Sequence, residues 1–192
     1  MSDNHVTGCY SEAAFKQTPF FASFFGTLLD SYFEKIRMKK TIEKAQVSNP
    51  ALTPLAPFIG EWDAVGKHAQ LPGMELHASI SYQWIEGGAF MIMHSVFEEE
   101  QIPPRMAIFG SDNVKQTLCM LFFDNRPVSR QCEVSVEGNT MRWWRNAPDI
   151  SQRYIFTFSA DNNRIESSGE ISENGGPWQP DLQMVYTRRA QQ

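Results

Sequence analysis

From Gly60 onward the chain alternates short apolar runs with clusters of turn-forming residues, and no helical period falls between them. Turn signals lie at Leu71-Pro72-Gly73, Glu86-Gly87-Gly88, Ile102-Pro103-Pro104, Ser111-Asp112-Asn113, Asn125-Arg126-Pro127, Glu137-Gly138-Asn139, Ala147-Pro148-Asp149, Asp161-Asn162-Asn163 and Asn174-Gly175-Gly176. The runs between them are rich in Ile, Val, Phe, Tyr, Trp and Thr, and they predict ten strands and no helix over residues 52–192. Asn174-Gly175 is a strong two-residue hairpin signal. Consecutive hairpins at even spacing predict an all-β, ten-stranded antiparallel up-and-down barrel rather than a sandwich.

Residues two apart in a strand share a face, so the pattern also assigns sides. Trp62, Ala64, Gly66 and His68 share one side of the first strand. Leu76, Ala78, Ile80, Tyr82 and Trp84 face inward from the second, leaving His77, Ser79, Ser81 and Gln83 outside. The third, residues 89–98, is apolar on both sides, so the facing of His94 is open. Further on, Leu118, Met120, Phe122 and Asp124 fall together, as do Arg130, Cys132, Val134 and Val136. Met141, Trp143 and Arg145 form the next inward set, then Gln152, Tyr154, Phe156 and Phe158. Trp178, Leu182, Met184, Tyr186 and Arg188 form the last. In a closed barrel the first and last strands are neighbours, so Trp62 can lie under Arg188 as a cation–π closure.

The first fifty residues read differently. Residues 1–18 are polar and expected to be disordered. Phe20, Phe21, Phe24, Phe25, Leu28, Leu29, Tyr32, Phe33 and Ile36 predict one amphipathic helix over residues 19–36. It reads as a lid or docking helix. The alternative is a native start at Met38-Lys39-Lys40-Thr41, which would leave residues 1–37 outside the native protein. A signal peptide fits poorly, because the segment does not open on basic residues and Asp30 and Glu34 interrupt it. Pro50, Pro54 and Pro57 predict a linker up to residue 51 and a compact domain from residue 52.

Composition narrows the partners. A formal net charge of −5 and scattered basic residues argue against nucleic acid and anionic membranes. Glu98-Glu99-Glu100 reads as a solvated strand end. Cys9, Cys119 and Cys132 are odd in number and lack metal-ligand spacing, which points to a reducing, cytoplasmic setting without disulfides. No apolar run reaches the length of a membrane span.

With Gly60-x-Trp62 on the first strand and Arg188 on the last, the chain resembles the calycin superfamily, the lipocalin-like barrels. It is more distantly similar to nitrobindin, whose Gly-x-Trp-x-Gly-x-Gly opening is met here by Gly60-Glu61-Trp62-Asp63-Ala64-Val65-Gly66, with Ala64 in place of one Gly. That family holds haem through a late-strand His, and residues 177–192 contain none, so the resemblance carries no haem function across. A nearer likeness is to an uncharacterised bacterial family of short lipocalin-like proteins. It rests on Trp84-Ile85-Glu86-Gly87-Gly88-Ala89-Phe90, Phe123-Asp124-Asn125-Arg126, Trp144-Arg145-x-Ala147-Pro148, Ser151-Gln152-Arg153 and Trp178-Gln179-Pro180-Asp181. It covers about residues 52–189 and implies a fold but no activity.

Nucleophile elbows, zinc-ligand helices, paired cysteines and phosphate-cradling glycine loops are all absent. Candidate chemistry therefore rests on polar residues with inward parity. An Asp124–Arg130 pair across a tight turn reads either as a clamp for a ligand carboxylate or phenol, or as an ion pair pinning the hairpin. His68 and His94 are candidate ligand contacts or bases, while His77 faces out and no metal triad can be assembled. Tyr82, Trp84, Phe122, Trp143, Trp144, Tyr154, Trp178 and Tyr186 supply aromatic lining, and the methionines an adaptable wall. A barrel of this strand number is too wide for its own side chains to fill.

The expected function is binding of a small, mostly apolar or aromatic ligand inside the barrel, without metal or cofactor. The alternatives are an isomerase, cyclase or hydratase using His94 or Asp124 as acid or base beside Arg130, a haem-binding barrel, or an interaction module acting through residues 19–36. A homodimer remains an option.

Overall fold

The structure, a computed structural model, describes residues 49–190. The helix expected over residues 19–36, the alternative start at Met38 and Cys9 lie outside the described residues.

Ten antiparallel strands close into a barrel in which each strand pairs with its neighbours in sequence and the last returns to the first. They are β1 (Gly60–His68), β2 (Leu76–Ile85), β3 (Phe90–Phe97), β4 (Arg105–Asp112), β5 (Thr117–Asp124), β6 (Val128–Glu137), β7 (Thr140–Arg145), β8 (Ile150–Phe158), β9 (Arg164–Glu173) and β10 (Gln179–Arg188). At the β9–β10 turn, Asn174 and Gly175 have φ of 51° and 70°, the two positive values that a tight hairpin matched to strand twist requires.

The two-residue period becomes burial. Trp62 and Ala64 on β1, and Leu76, Ala78, Ile80 and Tyr82 on β2, are buried, while their odd-even partners meet solvent or half-meet it. The undecided strand is settled: Met91 and Ser95 of β3 are buried, and Phe90, His94 and Val96 are exposed. His94 therefore sits on the outside of the barrel.

The Pro-rich approach to the barrel is folded. Pro50–Phe58 forms a 3-10 helix, begun by the Asn49 side chain accepting a hydrogen bond from the Ala51 N–H at 3.2 Å. A helix of three residues per turn places every third side chain on one line. Leu52, Leu55 and Phe58 hold that line, and all three are buried. The prolines fit because proline fixes φ near the 3-10 value and two of the three interrupt no long α-helical ladder. This segment plugs one end of the barrel. The Phe58 ring lies 4.6 Å from that of Phe158 and 5.1 Å from that of Tyr82.

Trp62 and Arg188 lock the plug. They are register partners across the β1–β10 seam, with the guanidinium carbon 4.1 Å from the centre of the Trp62 ring. Arg188 also donates to the Pro57 carbonyl at 2.5 Å, the Ile59 carbonyl at 2.7 Å and the Asn162 carbonyl at 3.0 Å. Trp62 Nε1–H donates to the Phe58 carbonyl at 2.7 Å. Carbonyls left over at the end of the 3-10 helix thus find side-chain donors. Gly60 has φ of 126°, and a Cβ there would fall 3.0 Å from Arg188 Nη1.

One irregularity matters for the interior. The β9–β10 register shifts between Pro180 and Gln183, so the neighbours Asp181 and Leu182 are both buried. Pro180 cannot donate to the ladder, and a bulge is where a strand tolerates it. On β1, opposite this end of β10, a Cβ on Gly66 would fall 1.9 Å from the Gln183 carbonyl oxygen, so the close approach demands glycine.

Candidate functional site

All ten strands leave a cavity of about 430 Å³ inside the barrel. It runs from Phe156, beside the plug, to Gln70, Leu71, Gln101 and Ile102 in the loops at the opposite end. That volume is in the range of small-molecule pockets. Its depth is apolar and aromatic: Trp143 stacks on Tyr154 with ring centres 4.4 Å apart and planes 10° from parallel, and Phe156 and Tyr186 follow at 6.0 Å. Gly169 makes the Tyr154 position possible, because a Cβ there would fall 2.2 Å from Tyr154 Cζ.

Polar groups gather towards the open end on two walls. On one, the bulge of β10 turns Asp181 inward, with 6 % of its surface exposed. Its carboxylate accepts from Tyr154 Oη–H at 2.6 Å and Gln152 Nε2–H at 3.1 Å, and lies 3.0 Å from His68 Nε2. His68 Nδ1 accepts from the Gln70 backbone N–H at 3.1 Å. With Nδ1 an acceptor, the ring proton belongs on Nε2, facing Asp181. Both imidazole nitrogens are thus engaged, and the buried carboxylate has three donors. Burial, followed by the negative charge of Asp181, raises the Tyr154 phenol well above its ordinary value and keeps it a donor.

The other wall is basic. Arg105 opens β4, Arg130 lies near the start of β6, and both line the cavity. Arg130 donates to Gln152 Oε1 at 2.5 Å. Gln152 therefore stands between Arg130 and Asp181, giving its amide hydrogen to one and its carbonyl to the other. Arg105 lies over the Phe97 ring at 5.2 Å. Cys132, deeper on β6, has its thiol pushed up to about 11 by burial and stays protonated.

Of the residues singled out from sequence, His68, Tyr82, Phe122, Arg130, Trp143, Tyr154 and Tyr186 line this cavity. Others do not. His94 points outward, for the register reason given above. Asp124 pairs with Arg126, not Arg130: Arg126 donates from its backbone N–H at 2.9 Å and from Nη2 at 2.6 Å. The turn residue two positions on closes a local ring that Arg130, opposite Phe122 in the ladder, is not placed to make. The Arg126 hydrogen bond holds the Asp124 carboxyl below its usual range. Neither acid–base candidate reaches the cavity. Trp84 packs against the core at the plugged end without lining the cavity, and Trp178 lies under the Arg153 guanidinium at 4.3 Å. Two interior groups, Asp181 and Arg105, escaped the sequence reading. Asp181 has outward parity if β10 is regular, and Pro180 beside it is the signal that it is not. Arg105 shares parity with the buried Ala107 and Phe109.

Among the described residues no three His, Cys, Asp or Glu side chains gather as metal ligands, and no helix is long and apolar enough to cross a membrane. His68 is the one imidazole among the described residues that line the cavity, and both of its nitrogens are engaged.

No family model and no curated protein matches the chain. Solved structures do. Rv2717c from M. tuberculosis superposes with a TM-score of 0.55 at 15% identity, over 73% of this chain and 98% of that one. The S-type phycobiliprotein lyase CPES from Guillardia theta gives a TM-score of 0.48 at 10% identity, over 79% of this chain and 99% of that one. The first likeness is one of fold, that of a closed antiparallel up-and-down barrel.

Proposed function

We propose that the protein binds a small, mostly apolar or aromatic molecule inside the barrel. The observation that carries the reading is the cavity of about 430 Å³, floored by stacked aromatic rings and closed at one end by the plug. Burying about 300 Å² of apolar ligand at roughly 25 cal/mol per Å² contributes on the order of 7 kcal/mol gross. Costs of association and ordering bring this to about micromolar affinity.

The test uses a neutral fluorophore, N-phenyl-1-naphthylamine, titrated into the protein. Probe fluorescence should rise to saturation at micromolar concentration while Trp143 emission is quenched. Met93→Trp, which places a larger ring in the cavity wall, should weaken binding at least ten-fold with the β-sheet circular dichroism retained. Equal binding by the folded variant would place the probe elsewhere and remove the proposal.

A further inference from the structure

We infer that the natural ligand of this cavity is an amphipathic monoanion, an aromatic or alkyl carboxylate, whose carboxylate sits between Arg105 and Arg130 while its apolar part points to the plug. This rests on the ligand-binding reading above and adds the ligand's charge and orientation.

The charges of the cavity do not balance within it. Asp181 is the one deeply buried carboxylate in the lining, and His68, Tyr154 and Gln152 already satisfy it. Arg126 is taken by Asp124. Glu173 sits exposed at the rim. Among the described residues, Arg130 hydrogen-bonds only the neutral Gln152 carbonyl, and Arg105 packs on the face of Phe97 and bears on Asp124, already paired with Arg126, only at a distance beyond an ion pair. A guanidinium withdrawn from water without an ion-pair partner calls for an anion. Gln152 keeps Arg130 and Asp181 from neutralising one another, so the positive charge stays available.

The placement is specific. Arg105 is the ladder partner of Asp124 and Arg130 that of Phe122, so the two arginines flank β5 at neighbouring inward positions. Their strands are about 10 Å apart, a span that two long side chains can close on a shared carboxylate. Arg105 lines the cavity, and its charge bears on the Tyr154 and Tyr186 phenols as well as on Asp124. Asp181 repels an anion from the opposite wall, so the basic wall is the one seat for it.

Matched ligand pairs test this by isothermal titration: 2-naphthylacetic acid against 2-naphthylacetamide, and dodecanoic acid against dodecanamide. The wild-type protein should bind each acid at least ten-fold more tightly than its amide. Arg105→Met and Arg130→Met keep the apolar stems, and each should bring the acid-to-amide ratio at least three-fold nearer to one. The ratio is internal to each variant, so a general loss of fold does not mimic it. Equal binding of acid and amide by the wild type would overturn the carboxylate and leave the apolar-ligand reading standing. Binding of neither pair, with no response to the neutral fluorophore, would overturn both.

Discussion

A carboxylate withdrawn from water is stable only while every donor around it stays in place, and Asp181 depends on three side chains from two strands, β8 and β1. Tyr154 supplies the shortest of these bonds, at 2.6 Å. Tyr154→Phe keeps the ring stacked on Trp143 and removes only that donor, so it should destabilise the barrel by about 1–3 kcal/mol in urea unfolding. The same hydroxyl has a pH signature. Burial raises the phenols of Tyr82, Tyr154 and Tyr186 above the ordinary value near 10. A raised pKa means that the folded state holds the proton more firmly than the unfolded chain. Its contribution is complete below about pH 10 and is lost as pH rises further. The wild-type protein should therefore lose stability as pH rises above about 10, and Tyr154→Phe should lose it less steeply. Parallel slopes would mean that Tyr154 does not titrate in this environment.

The plug and the bulge show what the element scale adds. Leu52, Leu55 and Phe58 are at least 99 % buried, so shortening one of them leaves a cavity. Leu55→Ala should cost about 2–5 kcal/mol, while Ala56→Ser on the exposed side of the same turn should stay within about 0.5 kcal/mol. Similar midpoints for the two in thermal unfolding would mean that the plug is not packed as described. These elements also mark where sequence reading stopped. Strict alternation made β1, β2, β6 and the Trp62–Arg188 seam legible, because a barrel wall repeats every two residues and each inward place is apolar or tied to another group. β3 was illegible, since Phe90, Ile92 and Val96 make its outer side as apolar as its inner. The plug was hidden by its period of three, which neither the helical nor the strand template matches. Asp181 was hidden by a single inserted residue, which reverses parity for everything before it on β10.

At the scale of the whole barrel, one end is sealed and the other is polar and loop-lined, so the cavity has one mouth. The seal depends on fork geometry. Arg188 reaches the Pro57, Ile59 and Asn162 carbonyls while covering the Trp62 ring. A lysine carries the same charge but cannot hold that set of acceptors in one plane. Arg188→Lys should lower stability by about 2–3 kcal/mol and leave the acid-to-amide preference at the far end within two-fold of the wild type. A shift in that preference would show that the two ends communicate.

The position of Arg188 has a temporal consequence. It lies on β10, so the residue that ties the plug, the loop after β8 and the first strand is made after all three. Until it emerges, β1 has one unpaired edge and the plug has carbonyls without donors. A chain still being synthesised can form the hairpins from β1 to β9 but not the ring. Closure is a late event, reached across almost the whole length of the barrel, and such long-range pairing is slow. In that interval the β1 and β9 edges are both open to pairing with another strand, which makes the arrival of β10 and its arginine the moment at which the molecule stops being adhesive.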